Sequence, residues 1–526
     1  MGGYFPAQLK WAGFDALIFQ GQAEQPVYLW VHAGKAELRP ADHLWGKTTG
    51  EVEDLLLEEL GGSRLEVLQI GPAGENLVRF AAGITYANRA LGRTGMGAVM
   101  GSKKLKAVVV QGEQKPAVAD PDSLQELARK GAKYYPESGI YTTGELGTAA
   151  VVQYQQLVGG LPTRNWESGV FEGYQALDGE TMAAAILKKR ETCYSCVVRC
   201  KRVVEIDGET YRVNARYGGP EYETVAALGS YCGVDDLKAV SYANQLCNMY
   251  GMDTISCGAT IAWAMDCFQK GLITEEDTGG LELNFGDAEV MVALVQQIAL
   301  REGFGDLLAE GSARAAEHFG AEAQELVVAV KKLEYPAHMP QVKRSLGLIY
   351  AVNPFGADHE SSEHDPSYQR YPDRMAQIGL TDPQPGEVLN KEKINFALTT
   401  QYLYSCLSCL NVCNFVFGPS WQLYDPEELR QALQAVTGWE VTIPEMLKVG
   451  QRRLNLQRAF NAREGIGRDQ DTLPSKLEKA LRGGKTDGVR FTAQELEEAK
   501  GIYYQLAGWD PETGYPLRET LEKLDL

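Results

Sequence analysis

Cysteine is missing from residues 1–192 and 414–526 of this chain of 526 residues, so all ten cysteines fall between Cys193 and Cys413. A disulfide framework would spread them more evenly, and a chain of this size does not depend on covalent cross-links. This distribution argues against a secreted, disulfide-stabilised protein and predicts a reducing compartment, with the cytoplasm as the location. It also predicts a metal site in the middle of the chain.

Positive charge and long apolar runs are also scarce. Lys and Arg together number 51 against 70 Asp and Glu, which gives a formal net charge of −19. Such an acidic chain is a poor partner for nucleic acid or for an anionic membrane surface. No apolar run reaches the length of about 18 residues that a membrane span needs, and the N-terminus lacks the basic start and apolar core of a signal peptide. We expect an acidic enzyme with a small-molecule substrate, without membrane insertion.

The chain is too long for a single hydrophobic core, so two or three domains are expected. Short apolar runs between glycine-rich turns, such as residues 15–19 and 107–111, predict a β-rich first part. After a Pro- and Asp-rich link at residues 115–122, apolar residues recur with the 3.6-residue period of helices, for example over residues 179–189. We predict an α+β multidomain protein with a β-rich domain at residues 1–116 and two mainly helical domains at residues 117–330 and 331–526.

Residues 191–200 read Glu-Thr-Cys-Tyr-Ser-Cys-Val-Val-Arg-Cys and place Cys193, Cys196 and Cys200 in a C-x2-C-x3-C run. Three thiolates this close can bind one soft metal centre and leave a position for a distant fourth ligand. A structural zinc site would normally show a second Cys or His pair at a defined spacing. The run therefore favours a [4Fe–4S] cluster over zinc, and both over three unliganded core cysteines.

Residues 93–101 form a glycine-rich loop, Arg-Thr-Gly-Met-Gly-Ala-Val-Met-Gly. Glycines allow backbone N–H groups to approach an anion closely, and an arginine suits phosphate. The loop is neither a P-loop nor a dinucleotide-binding fingerprint, because a strand is expected where a helix should begin. Phosphate binding and a plain tight turn are both open interpretations of the loop.

Taken together, the cysteine run and this loop resemble the aldehyde ferredoxin oxidoreductase family of tungsten enzymes. The similarity extends over the whole chain. Further similar segments are Gly-Gly-Tyr-Phe-Pro-Ala-Gln-Leu-Lys-Trp-Ala-Gly-Phe-Asp-Ala at residues 2–16, Ile-Gly-Pro-Ala-Gly-Glu-Asn-Leu-Val at 70–78, Gly-Pro-Glu-Tyr-Glu at 219–223 and Arg-Asp-Gln-Asp-Thr-Leu-Pro at 468–474. The resemblance implies a β-rich pterin-binding domain, two helical domains and a cofactor between them.

The resemblance implies two cofactors, a tungsten (or molybdenum) bis-pterin and a [4Fe–4S] cluster. The cluster ligands would be Cys193, Cys196 and Cys200, with Cys413 as the fourth. Cys409 is a rival for the fourth position because it stands only four residues earlier.

The resemblance also implies residues that contact the pterins. The family holds the pterin rings with two acidic motifs, and both have lost their leading Asp here, reading Asn-Met-Tyr-Gly-Met-Asp at 248–253 and Ser-Cys-Leu-Asn-Val-Cys at 408–413. A carboxylate suits this role because it accepts several N–H bonds, and an amide accepts fewer. The implied contacts are Gly2, Gly3, Arg93, Gly95, Met96, Gly97, Asn248, Asp253, Ser408 and Val412.

Two residues match the family's proton-handling positions. Glu223 would be a general base or would orient water, and His359 would polarise the substrate oxygen. Glu360 and His364 are near in sequence and could line the same pocket. Without the resemblance, Glu223 would be interpreted as a partner of a helix dipole and His359 as a structural side chain.

Three departures from the family pattern affect the predictions. Residues 242–245 read Tyr-Ala-Asn-Gln where some members carry a metal-binding Glu-x-x-His, so a homodimer is expected to lack a bridging metal. The family has a further segment before the match to residues 2–5, which implies an N-terminal part encoded upstream or supplied by another polypeptide. Cys257 lies close to the predicted pterin contacts, where packing is favoured over a metal-ligand role.

The resemblance implies an enzyme that oxidises an aldehyde to a carboxylic acid and passes electrons to ferredoxin or to an iron–sulfur subunit. One alternative is a reductive branch of the family, such as the tungsten subunit of a benzoyl-CoA reductase. The other is a noncatalytic fragment that keeps the cluster without tungsten. The altered pterin motifs motivate the first alternative, and the late start of the chain motivates the second.

Overall fold

The computed structural model describes residues 2–61, 65–421 and 423–526. One β-sheet lies in the first part of the chain, and helices dominate the remainder, which confirms the predicted α+β fold class. The domain boundaries at residues 116 and 330 stay a prediction.

Six strands form the main sheet. They are β1 (Val27–His32), β2 (Lys35–Pro40), β3 (Glu66–Gln69), β4 (Gly83–Thr85), β5 (Arg89–Leu91) and β6 (Leu105–Gln111). Their spatial order is β2-β1-β6-β3-β4-β5, in which β1 and β6 are parallel and the other neighbours antiparallel. Three small antiparallel pairs follow in the chain: β7 (Leu187–Glu191) with β8 (Lys201–Val204), β9 (Ile206–Asp207) with β10 (Arg212–Val213), and β11 (Ala329–Val330) with β12 (Leu333–Glu334).

The helices fall into three groups along the chain. The first comprises α1 (Phe5–Trp11), α2 (Thr49–Leu60), α3 (Pro72–Glu75) and α4 (Met96–Ser102). The second comprises α5 (Pro121–Tyr134), α6 (Tyr141–Leu146), α7 (Val151–Val158), α8 (Tyr174–Leu177), α9 (Gly179–Ala185), α10 (Tyr222–Leu228), α11 (Leu237–Tyr250), α12 (Thr254–Gln269), α13 (Glu275–Thr278), α14 (Ala288–Leu300), α15 (Phe304–Leu308), α16 (Ser312–Ala315) and α17 (Ala321–Gln324). The third comprises α18 (Arg344–Val352), α19 (Pro366–Arg370), α20 (Pro372–Ala376), α21 (Lys391–Leu410), α22 (Asn414–Phe417), α23 (Pro426–Thr437), α24 (Ile443–Arg463), α25 (Ala493–Ala507) and α26 (Arg518–Lys523). Among these helices of the described residues, none combines the length and the apolar character that crossing a membrane requires.

The central strands of the sheet are buried on both faces. Because side chains alternate along a strand, Tyr28 and Trp30 of β1 pack with α2 on one face, while Leu29 and Val31 pack with α1 and α4 on the other. This two-sided burial explains why β6 reads as a continuous apolar run rather than an alternating one.

Two predicted elements were wrong. Residues 15–19 form no strand. Leu17 and Phe19 pack against the hydrophobic cluster of the sheet and Ile18 is 85% exposed, but the backbone of this segment pairs with no strand of the described residues. The predicted helix over residues 179–189 stops at Ala185, and the chain continues as strand β7, which pairs with β8. Tertiary pairing outweighs the helical composition there.

The glycine-rich loop also differs from expectation, since helix α4 begins at Met96 before the chain enters β6. Gly95 adopts a left-handed φ of 74°, and a Cβ at this position would lie 2.3 Å from the carbonyl oxygen of Arg79. Gly97 donates its N–H to the oxygen of Ala81 over 2.9 Å. Both glycines are therefore required for close approach of the backbone to the preceding turn.

A buried charge cluster stabilises the C-terminal part. Asp471 accepts hydrogen bonds from both guanidinium nitrogens of Arg458, at 2.6 and 3.0 Å, and from Lys331 Nζ at 2.7 Å. Burial alone would raise the pKa of Asp471, but the charges of Lys331 and Arg458 outweigh it and lower the pKa. This carboxylate therefore stabilises the fold above the usual carboxyl pKa of about 3.9, and the contribution is lost as pH falls through the lower folded-state pKa.

Asp471→Asn is expected to reduce the free energy of unfolding by about 3–5 kcal/mol at neutral pH, because two buried cations lose their counter-charge. Guanidinium-induced unfolding, followed by tryptophan fluorescence, measures the loss as a lower midpoint. Asp469→Asn is the matched control, because Asp469 is exposed two residues away. Equal midpoints for the two variants would contradict the prediction.

Candidate functional site

The cysteine run occupies the loop between β7 and β8, whose ends are joined by the antiparallel pairing of Glu191 with Lys201. Inside the loop, the N–H of Cys196 donates to the oxygen of Cys193 over 3.2 Å. The buried guanidinium of Arg202 donates to the oxygen of Arg199 over 2.7 Å and so holds the other end. A short hairpin thus fixes three thiols within one loop.

The fourth predicted ligand reaches this loop from the C-terminal part of the chain. Helix α21 ends at Leu410, and Cys413 stands immediately before α22. Cys196 and Cys200 flank an apolar cluster that includes residues of both segments, Val198 and Leu423 among them. The structure therefore brings together the two segments from which sequence analysis drew the four ligands.

The spacing of the thiols separates two kinds of metal site. One zinc ion with Zn–S bonds of about 2.3 Å would hold its sulfurs about 3.8 Å apart. Among the described residues, the three-residue group of His, Cys, Asp or Glu whose ligand atoms all lie within 4.8 Å of one another is Glu223, His338 and His359, and it contains no cysteine. No three sulfurs of the described cysteines lie that close together, so their arrangement does not match a single zinc ion.

Burial, followed by the charges of Glu221 and the neighbouring thiols Cys413 and Cys193, raises the pKa of Cys200 to about 12. The Cys200 thiol therefore holds its proton at neutral pH until a metal displaces it.

A cavity of about 740 Å³ lies beside the cysteine loop and is lined by residues from all three parts of the chain. Of the predicted site residues, those that line it are Arg93, Glu223, Asn248, Asp253 and His359. Gly95 lines a separate cavity of about 240 Å³. In the part of the chain that the structure describes, Gly2, Gly3, Met96, Gly97, Ser408 and Val412 line neither cavity, and their cofactor contacts stay predictions.

Several of these predicted contacts are engaged within the protein. Gly3 accepts a hydrogen bond from the N–H of Tyr194 over 3.2 Å, which ties the start of the chain to the cysteine loop. A Cβ on Gly2 would lie 3.1 Å from the Cys193 sulfur. Ser408 donates to the oxygen of Tyr404 in its own helix over 3.0 Å.

Arg93 and Asp253 form one wall of the larger cavity. The Arg93 guanidinium donates to the oxygen of Ala357 over 2.5 Å and to that of Glu334, while its Nε lies 3.5 Å from Asp253 Oδ2. The Asp253 carboxylate also caps α12 by accepting the N–H of Ile255 over 3.0 Å. Arg93 Nε is buried without a hydrogen-bond partner, so it can donate to a polar ligand.

Glu223 and His359 meet in this cavity, together with a histidine that sequence analysis missed. Glu223 Oε1 lies 3.3 Å from His338 Nε2 and 3.5 Å from His359 Nε2, while Oε2 accepts the N–H of Ala337 over 2.8 Å. The two imidazole rings stack with centroids 5.0 Å apart. A single His in the loop of residues 334–340 gives no periodic signal in the sequence.

The electrostatics of this group favour proton handling. Burial raises the pKa of Glu223, whereas the charge of His359, the Ala337 N–H and Arg93 act in the opposite direction. Glu223 Oε1 and His359 Nδ1 are buried without hydrogen-bond partners. Two unpartnered polar atoms of this kind fit a site built for a polar group that the protein itself does not supply.

The cavity and the cysteine site are contiguous. Asn414, next to Cys413, donates to Glu360 Oε2 over 2.7 Å, and Glu360 Oε1 lies 3.5 Å from His359 Nε2. Lys201, next to Cys200, lines the cavity.

The remaining candidates lie in different environments. His364 lines the cavity. Cys257 is buried, and its contact with Cys247, followed by burial, raises its pKa well above the usual value, which fits packing. Cys409 is exposed.

Comparisons with known proteins cover the entire chain. The family model described as aldehyde ferredoxin oxidoreductase, N-terminal domain, matches residues 1–112, and that described as domains 2 and 3 matches residues 126–526. The tungsten-containing aldehyde ferredoxin oxidoreductase of Pyrococcus abyssi is 39% identical, across 100% of this chain and 84% of the relative. That of Pyrococcus furiosus is 38% identical with the same coverage.

A solved structure shows the same fold. The active-site complex BamBC of benzoyl coenzyme A reductase, with bound 1,5-dienoyl-CoA, contains a chain that superimposes with a TM-score of 0.81. The match covers 100% of this chain and 83% of that one, at 24% identity. At this identity the likeness is one of fold.

Proposed function

This chain belongs to the aldehyde ferredoxin oxidoreductase family, and from that premise we propose that it oxidises an aldehyde to the carboxylic acid and passes the electrons to ferredoxin or to an iron–sulfur subunit. The family's cofactors are a tungsten bis-pterin and a [4Fe–4S] cluster. The observation that carries the proposal is the meeting of Glu223 with His338 and His359 in a cavity contiguous with the four cysteines.

Several residues are suited to hold the cofactors. Cys193, Cys196, Cys200 and Cys413 would bind the cluster through thiolates. Arg93 would donate to a pterin phosphate, and Asn248 and Asp253 would accept from ring N–H groups. Asn248 donates through Nδ2 to the oxygen of Tyr217 over 3.0 Å, and its amide oxygen would be the accepting atom. When bound, the tungsten bis-pterin supplies two-electron redox chemistry and the cluster supplies one-electron transfer.

The protein's own side chains would manage protons and orientation. Oxidation of an aldehyde consumes one water and releases two electrons and two protons with the acid. Glu223 would take one proton from that water, and its raised pKa suits exchange nearer to neutral pH. His359 would donate to the substrate oxygen and so polarise the carbonyl carbon.

Metal analysis of the anaerobically purified protein tests this function first. We expect about four iron atoms and one tungsten or molybdenum atom per chain, with aldehyde-dependent reduction of a viologen dye at two dye molecules per aldehyde. Zinc without iron would overturn the cluster assignment. A fully loaded protein that oxidises no aldehyde would overturn the reaction.

A further inference from the structure

Lys343 joins two imidazoles of the cavity. Its side chain is 3% exposed, and its Nζ lies 2.7 Å from His338 Nδ1 and 3.1 Å from His364 Nδ1. A charged ammonium has three N–H donors and no acceptor. When Lys343 is protonated, both Nδ1 atoms must therefore accept.

The far sides of the two rings agree with this assignment. His364 Nε2 lies 3.0 Å from the carbonyl oxygen of His359, which can only accept, so this nitrogen carries a hydrogen. His338 Nε2 lies 3.3 Å from Glu223 Oε1 without forming a hydrogen bond, and this carboxylate oxygen still favours N–H at that position by its charge. Each ring thus has an acceptor at Nε2 and the same lysine at Nδ1.

We propose that Lys343 is a positioning residue of the active site, which holds His338 and His364 as neutral Nε2–H tautomers and so aligns Glu223 and His359 for the reaction. The inference rests on the proposed function. One ammonium then links two rings. His338 lies beside the Glu223 carboxylate, and His364 donates to the main-chain oxygen of His359. Because Lys343 is hydrogen-bonded to both rings within a packed site, loss of the lysine releases both rings.

The charges around Lys343 decide at which pH the proposal should be tested. Burial lowers the pKa of Lys343 to about 7, while the carboxylates of Asp365, Glu223 and Glu363 act in the opposite direction. Burial lowers the pKa of His338 well below its usual range, and Lys343 lowers it further. Of the two groups, Lys343 is therefore the one that holds the proton in mildly acidic solution.

The same reasoning opposes a divalent cation held by Glu223, His338 and His359. These three offer ligand atoms within 4.8 Å of one another. A metal at this position would need a bare His338 Nε2, hence a hydrogen on Nδ1, where Lys343 and the amide nitrogen of Gln155 (3.0 Å) both approach as donors. The tautomer of His338 thus distinguishes positioning by Lys343 from metal binding.

Nitrogen NMR of the full-length protein labelled with ¹⁵N-histidine measures these tautomers directly, and the chain has only six histidines to assign. At pH 6 we expect the signals of His338 and His364 to show a protonated Nε2 and an unprotonated, hydrogen-bonded Nδ1. A hydrogen on Nδ1 of His338, or an imidazolium ring, would overturn the proposal. This readout needs no aldehyde turnover, so it can succeed where the proposed function fails, and the reverse.

Lys343→Met keeps an unbranched, apolar side chain that is one atom shorter and removes the three N–H donors. We expect mixed tautomers at His338 and His364 and a fall in kcat of about 10–100-fold, because the reacting groups lose their alignment, with iron and tungsten contents unchanged. Lys500→Met is the matched control: Lys500 is also buried, but it donates to the carbonyl oxygen of Asp471 and pairs with Glu497, away from the cavity. Unchanged kcat in a Lys343→Met protein with altered tautomers would overturn the positioning role. If that variant does not fold, the wild-type tautomers decide.

Discussion

Cys413→Ser is expected to lower the iron content from about four atoms per chain to a small fraction of that, and to abolish aldehyde-dependent dye reduction. A serine hydroxyl is a hard, weakly acidic ligand that does not replace a thiolate on iron. Cys413 is the ligand that comes from the C-terminal part of the chain, while the other three share one hairpin loop. Without it, the cluster loses its attachment to the second segment.

Cys409→Ser is the matched control for this change. Cys409 is exposed and stands four residues before Cys413, at the end of the same helical segment. We expect this variant to retain iron and activity. Iron analysis and the EPR signal of the dithionite-reduced protein measure both variants. Loss of iron in Cys409→Ser with retention in Cys413→Ser would assign the fourth ligand to Cys409.

Glu223→Gln is expected to lower kcat/KM for aldehydes by about 10²–10⁴-fold, the usual contribution of a general base, without loss of metal. An amide cannot take the proton, and its NH₂ group would face the imidazole of His338, where the carboxylate now lies 3.3 Å from Nε2. Steady-state kinetics and metal analysis on the same preparation measure the two effects separately.

The pKa of Glu223 also predicts the direction in which activity changes with pH. Burial raises the pKa of Glu223, and the neighbouring charges that modify it are His359, Arg93 and Glu360. A base acts only when deprotonated, so activity should increase with pH through a value above the usual carboxyl pKa of about 4.3. We expect this limb to disappear from the residual activity of Glu223→Gln. Glu317→Gln, at an exposed site, should retain both rate and profile.

Local signals in the sequence account for much of the fold. The apolar run at residues 107–111, which lies in β6, and the mainly helical character of the chain after residue 122 are properties of contiguous residues and were predicted correctly. Strand β7 was not, because its residues carry a helical composition and become a strand only by pairing with β8. The pairing depends on a second segment, so the residues of β7 alone do not indicate a strand.

The candidate site divides in the same way. The spacing of the three clustered cysteines was enough to predict them as metal ligands, whereas Cys413, Glu223 and His359 were predicted from the family resemblance. His338 and Lys343 were missed, since each is a single polar residue whose role depends on neighbours from other segments. Burial and proximity of this kind arise only when the segments pack.

The cysteine loop and the segment at Cys413 belong to parts of the chain that are synthesised far apart. A cluster bound to both would act as a cross-link that closes a very long stretch of polypeptide, and such closures restrict the unfolded ensemble. Cluster insertion would then come late in folding, after the two parts have docked, and would act as a checkpoint on that docking. Damage to the cluster, by oxygen for example, would then lower the stability of the whole protein to unfolding and would also stop electron transfer.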